Sequence, residues 1–212
     1  MNRRLLLASA SPRRRELLRE LVDEFDVATT GVDEDEAGPV EQLAARLAEA
    51  KARAALALHP GRLVLAADTV VALGSRSFGK PASVEDVVAM WRELGGRVHT
   101  VMTGVAVGTS AGVNVEVSTS TVRLAELDEL AVRRYAASGR PMDKAGGYAI
   151  QDDDVPTVAA LDGCYCGVMG LPLWLTYGKL RGRVAPLRAP SLPRCIGCPE
   201  RAVVERDYGV EP

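Results

Sequence analysis

Three groups of residues in this sequence have types and spacings suited to chemistry. The first is SPRRRELL, in which Ser11 and Pro12 open a helix and Arg13, Arg14 and Arg15 crowd its first turn. A helix N-terminus carries unpaired N–H groups and partial positive charge, and ordinarily takes acidic side chains. Three guanidinium groups there oppose the local field. A polyanion such as a triphosphate would reverse that penalty, because backbone donors, helix dipole and guanidinium forks would converge on it; the plain alternative is a solvated basic turn. The second is Asp68, the one carboxylate in LVLAADTVVAL. A carboxylate in such surroundings has to be paired, hydrogen-bonded or bound to a cation. It reads either as a general base or Mg²⁺ ligand, or as a strand-end Asp accepting backbone N–H bonds. The acidic run Asp33, Glu34, Asp35 and Glu36 offers a second metal carboxylate or simply a solvent-facing loop. The third group is Lys51, in a helix, and Lys80, in FGKPAS, where compact charges can reach a phosphate.

Other chemistries lack their residues. No GxxxxGK[ST] occurs, GCYCGVMG does not match the dinucleotide fingerprint and reads as a tight turn before a helix, and no GxSxG elbow is present. His59 and His99 have no metal-ligand spacing. Cys164, Cys166, Cys195 and Cys198 could assemble a four-thiolate zinc site, but C-x-C is an atypical spacing, and four unligated thiols are the plain reading. So few cysteines form no disulfide scaffold, so the default is a reduced, cytoplasmic protein.

The elements that must position these residues alternate along the chain. Strands are expected at Leu5–Ala8, Phe25–Thr29 and Leu63–Leu73, and helices from Ser11 to about Leu21 and from Pro39 to Leu58. A helix at Val84–Leu94 is stopped by Gly95-Gly96, and Val98–Thr109 with Val113–Leu124 reads as a hairpin. A helix at Asp128–Ser138, two short strands within Tyr148–Leu161 and a helix from about Leu171 to Leu180 complete a body spanning 1–182. Residues 183–212 turn Pro-rich and lose periodicity, which predicts a surface-hugging or mobile tail.

Composition bounds the function. At 212 residues and roughly 150 per domain, the chain is one large domain or two halves sharing a core. Its 26 basic and 28 acidic residues give a net charge of −2, which argues against a nucleic-acid binder, and 4% aromatics leave little for base stacking. The opening MNRRLLLASA imitates a signal peptide, but its apolar stretch is short and Pro12 with three arginines follows, so neither export nor a membrane span is expected.

Taken together, LASASPRRRELL, VDE, AEAKA, AADTVV, GKP, HTVMTGV, DKAGGYAIQ and GLPL resemble, in order and over about residues 4–178, the Maf family of nucleoside triphosphate pyrophosphatases. The resemblance implies an α/β fold, a mixed twisted sheet flanked by helices with two lobes around a nucleotide-binding cleft. It also implies a homodimer, a divalent metal (Mg, Mn or Co), and hydrolysis of a nucleoside triphosphate to the monophosphate and pyrophosphate. Position by position, it makes Asp68 the acid-base residue, places Ser9, Arg13, Arg14, Lys51 and Lys80 along the triphosphate, and sets Glu34 with Asp68 at the metal. Its specificity positions fall on Arg13, Thr69 and Gln151, a combination similar to the dTTP/UTP branch, with Arg13 and Thr69 offering donors to phosphate or base carbonyls. The chain departs from the family pattern at Arg140, Asp152 and Gly167. Two other readings stand beside this one: a nucleotide-sensing regulator of septum formation that binds without turnover, and a nucleic-acid binder using the SPRRR turn.

Overall fold

In the computed structural model, which describes residues 4–32 and 38–209, seven strands form one mixed sheet. They are β1 (Leu5–Ala8), β2 (Asp26–Ala28), β3 (Leu63–Leu73), β4 (Arg76–Phe78), β5 (Val98–Thr109), β6 (Gly112–Leu124) and β7 (Val158–Asp162). The order in space is β2-β1-β3-β5-β6-β7, with β4 added to β3. β1 is parallel to β2 and β3, whereas β5, β6 and β7 continue the sheet antiparallel. Around it lie α1 (Pro12–Arg19), α2 (Val40–Leu58), α3 (Val84–Leu94), α4 (Glu129–Ala137), α5 (Tyr165–Met169), α6 (Leu173–Leu180), α7 (Pro193–Ile196) and α8 (Glu200–Tyr208). This is the α/β, mixed-sheet architecture expected above.

β3 organises the sheet. One of its edges pairs with β5 from Val64 to Ala72. The other pairs with β1 at Leu63–Ala66 and with β4 at Val71–Leu73. Between those partners, residues 67–70 have no strand neighbour on that edge among the described residues, and Asp68 and Thr69 stand in this gap. Alternate strand residues face opposite sides. The even-numbered Val64, Ala66, Val70 and Ala72 pack beneath α2, and the odd-numbered Leu63, Leu65 and Ala67 pack against α1 and α6. Val71 belongs to a separate cluster with Trp91 of α3 and Tyr135 of α4. On each face, then, the polar pair 68/69 separates two apolar clusters.

α2 reaches the sheet because its contacting face is small. Ala44, Ala48, Ala52 and Ala55 are fully buried. Opposite them, Gly104 of β5 has no side chain, and a Cβ there would stand 2.2 Å from the Ala44 carbonyl oxygen. That close approach sets how deep the neighbouring helix residue, Lys51, can reach.

Two segments differ from the sequence reading. Of two strands expected within 148–161, one forms: residues 150–154 turn, closed by Thr157 Oγ1 donating to the Ala149 carbonyl (2.6 Å), and Val158–Asp162 alone meets the β6 edge. The three consecutive aspartates of this turn have no apolar alternation to bury. The second segment lies beyond residue 183, where Pro-rich chain folds into α7 and α8 against the body. Cys195, Cys198 and Val204 are buried in the same cluster as β1 and α1, and Trp174 Nε1 donates to the Cys195 carbonyl (2.8 Å). Tyr208 Oη donates to Glu116, which also pairs with the buried Lys179.

Gly104→Ala should lower stability by about 1–3 kcal/mol in urea denaturation, because the added methyl has backbone in its place. Unchanged stability would mean that α2 does not rest on β5 as described.

A pH effect follows from His99, buried on β5 with Nε2 2.7 Å from the Tyr148 hydroxyl. Burial lowers its pKa from 6.5 to about 4, despite a smaller raising influence from the Arg97 backbone. The unfolded chain therefore takes up a proton below pH 6.5 that the native one refuses until about pH 4. This contribution is present above pH 6.5 and is lost as pH falls through that window, by up to about 3 kcal/mol. The difference between wild type and His99→Gln in denaturant midpoints from pH 7 to 4 isolates it; parallel curves would exclude it.

Candidate active site

The gap beside β3 opens into a cleft of about 480 Å³. Its wall is built by the turn leaving β1, the start of α1, the middle of β3, the end of β4, and residues 143–151 and 168–170. Ser9, Arg13, Arg14, Lys51, Asp68, Thr69, Lys80 and Gln151 all line it. Glu34 falls outside the described residues.

Each side chain arrives by a local cause. β1 ends at Ala8, where Ser9 Oγ accepts the Ser11 N–H (3.2 Å), and Ser11 in turn caps α1 by accepting from the Arg14 N–H. No acidic residue stands in the first turn of α1. Arg13 instead finds its carboxylate across the cleft, with Nη1 2.6 Å from Asp143 Oδ2 and Nη2 on the Asp143 carbonyl. Asp143 also binds Lys144 (2.7 Å), and these two cations hold its carboxyl below the usual range against desolvation, the largest single influence. Lys144 donates further to the Arg140 carbonyl.

On the α2 face, Lys51 Nζ donates to Asp68 Oδ1, and both side chains are nearly buried, at 13% and 10% exposure. On the opposite face, Arg14 Nε donates to the Gly170 carbonyl (2.8 Å) and Nη2 to Thr69 Oγ1 (3.0 Å). Thr69 Oγ1 lies 2.9 Å from Thr103 Oγ1, whose proton goes to the Gly167 carbonyl (2.8 Å). The Thr69 hydrogen must then point at Thr103. In this structure Thr69 Oγ1 accepts from Arg14 and so helps to hold that guanidinium in the cleft.

Three residues of the cleft escaped the sequence reading as site candidates: Asp143, Lys144 and Tyr148. All lie in DKAGGYAIQ, so the signal was present, but Arg13 and Asp143 are 130 residues apart and nothing in the pattern links them. The departures at Arg140 and Asp152 form a network on the flank of the same loop. Arg140 binds Asp154 and stacks on Tyr135 at 5.5 Å, and Tyr135 Oη donates to Asp152 (2.6 Å).

The arrangement places a carboxylate–ammonium pair at the floor of a polar cleft, with two arginines and two further lysines at its walls. It suits a polyanion carrying a bond to be hydrolysed. The chain is 43% identical over 202 residues to a dTTP/UTP pyrophosphatase of Thermomicrobium roseum, covering 92% of this chain and 93% of that one. It is 45% identical over 174 residues to one of Pelotomaculum thermopropionicum (80% and 91%), and 44% identical over 181 residues to one of Deinococcus radiodurans (84% and 92%). The family described as Maf-like protein matches residues 4–183, from the start of β1 to just beyond α6, and the chain belongs to that family.

Proposed function

We propose that this protein is a nucleoside triphosphate pyrophosphatase acting on dTTP and UTP, cleaving them to the monophosphate and pyrophosphate. The observation that carries the proposal is the Lys51–Asp68 pair at the floor of a cleft walled by Arg13, Arg14 and Lys80. The names of the relatives above agree with it.

In this reading Arg13, Arg14, Lys51 and Lys80, with Ser9 and the N–H groups opening α1, bind and orient the triphosphate. Asp68 holds the attacking water and takes its proton as oxygen bonds to the α-phosphorus and the bond to the departing pyrophosphate breaks. Lys51 fixes one carboxylate oxygen and so sets the direction of the other. A divalent cation is part of the proposal. Asp68 offers a hard oxygen at the cleft floor, fitting Mg²⁺, Mn²⁺ or Co²⁺ held by one or two carboxylates plus phosphate oxygens, with Glu34 as the second candidate. When bound, such an ion supplies charge neutralisation on the leaving group. A homodimer in the cytoplasm belongs to the same proposal on the family resemblance. A net charge of −2 supports a small anionic substrate over nucleic acid, and no described helix is long and apolar enough to cross a membrane.

For selectivity, the Gln151 amide can accept from the ring N–H of uracil or thymine and donate to a carbonyl beside it. Cytosine reverses that edge, and buried polar groups left unpaired can discriminate by several kcal/mol. Arg13 contributes a mobile donor if it leaves Asp143, and Thr69 acts through Arg14.

Asp68→Asn should keep the fold and lose about 10²–10⁴ in pyrophosphate release from dTTP; near-normal turnover would remove Asp68 from the mechanism. Wild type should show kcat/KM for dTTP and UTP above those for CTP and GTP, and Gln151→Glu should alter that ranking. A guanine preference, or a ranking untouched by Gln151→Glu, would sink the selectivity argument while leaving the hydrolysis standing.

A further inference from the structure

The chain has four cysteines, and the fold gathers all of them where α5 begins, with none lining the cleft. Cys164 and Cys166 open α5, Cys195 lies in α7, and Cys198 follows two residues after α7 ends. All four are free and buried, with relative exposures of 2%, 1%, 2% and 7%. Cys166 Sγ and Cys195 Sγ are 3.5 Å apart. Beside them, the sulfurs of Cys164 and Cys198 and a carboxylate oxygen of Glu200 lie within 4.8 Å of one another.

That spacing distinguishes two chemistries. A disulfide needs sulfurs at about 2.05 Å. A tetrahedral zinc with bonds of about 2.3 Å needs them about 3.8 Å apart, near the 3.5 Å of the Cys166–Cys195 pair; Cys164 and Cys198 form the second pair, within 4.8 Å of each other and of Glu200. The sequence alone left C-x-C as an unusual half-site, and the structure supplies the reason it works. Gly163 and Gly167 bracket the turn, and a Cβ on either would stand 2.6 Å or 2.9 Å from Ser120 or Ser118 Oγ. The turn is thus pressed onto β6, with Ser120 Oγ accepting the Cys164 N–H (2.9 Å). Cys164 and Cys166 are thereby brought to the C-x-x-C of the tail.

We infer that Cys164, Cys166, Cys195 and Cys198 bind one zinc ion, which fastens residues 193–198 of the tail to the turn that opens α5. Binding displaces the thiol protons, giving four thiolates around one dication. Glu200 borders the site, with a carboxylate oxygen within 4.8 Å of the Cys164 and Cys198 sulfurs. The site connects to the cleft by bonds already described. Cys164 Sγ accepts the Gly167 N–H (3.2 Å), and the Gly167 carbonyl holds Thr103, which holds Thr69 and through it Arg14. Zinc here is structural, since four protein ligands leave no position for substrate.

The test is metal analysis of the full-length protein purified under reducing conditions without chelator. About one zinc per chain is expected, released on titrating the four thiols with an organomercurial. Co²⁺ in its place should give sulfur-to-cobalt charge transfer and the intense visible bands of a tetrahedral thiolate site. Cys195→Ser and Cys198→Ser should each lose the zinc and make the tail sensitive to protease, while Asp68→Asn and Glu200→Gln keep it. Should the cysteine variants fail to fold, thiol-linked zinc release from wild type still decides the matter. Metal-free protein with four titratable thiols that takes up neither zinc nor cobalt would overturn the inference. So would a mass showing two disulfides, or zinc lost from Glu200→Gln.

Discussion

A carboxylate in the middle of the central strand has to be neutralised where it lies, and the rest of the structure depends on that constraint. Asp68 points to the face covered by α2, and Lys51 is the partner that α2 brings. Removing one member of such a pair typically costs about 3–5 kcal/mol when fully buried. Here the open cleft reduces that figure. To deliver Lys51 the helix must lie close to the sheet, so Ala44, Ala48, Ala52 and Ala55 run along its contacting face beside Leu43 and Leu47, and Gly104 of β5 leaves room beneath Ala44. The charge pair, the alanine stripe and the glycine are one device.

The sheet topology supplies the opening into which that pair looks. β1 stops after four residues and β4 starts further along, so among the described residues β3 has no strand partner on one edge between them. The chain leaving β1 enters α1 at the same level, which puts capped backbone donors and two arginines over the gap. Because α1 packs with α6 at one end, and α3 with α4 at the other, the two apolar clusters on that face need not meet. The polar ladder Arg14–Thr69–Thr103–Gly167 occupies the seam.

How much of this was legible in the sequence depended on the range of the forces involved. β3, the β5–β6 hairpin and α2 were readable because β-branched runs and helical spacing of Leu and Ala are local signals. Asp68 and the SPRRR turn stood out because each violated its local environment, and both proved to line the cleft. Partners were not readable. Lys51 lies 17 residues from Asp68 and Asp143 lies 130 from Arg13, and neither pairing follows from spacing. The helices of the tail were not foreseen for a related reason. α7 and α8 have almost no amphipathic pattern, and what holds them is burial of Cys195, Cys198 and Val204, a tertiary contribution invisible to periodicity. The turn at 150–154 shows the converse, a short segment given a strand reading that lacked the alternation to sustain it.

The state of the cleft's cations bears on how it would meet an anion. Arg13 is held by Asp143, Arg14 by Gly170 and Thr69, Lys51 by Asp68 and Lys144 by Asp143 and Arg140. Positive groups fixed by protein acceptors keep their positions, so a ligand meets oriented donors rather than floppy side chains whose ordering would cost entropy. The bonds differ in what they cost to exchange. Those of Arg14 include a backbone carbonyl and a buried ladder, which hold its guanidinium in place. Those of Arg13 end on Asp143, which is 56% exposed at its side chain and shares its charge with Lys144. A polyanion entering between them would compete with Asp143 for both cations at once, and a carboxylate that lost them could turn to water at little cost. Arg13 and Lys144 are therefore the adjustable part of the cleft wall, Arg14 its fixed part, and the Lys51–Asp68 pair the floor.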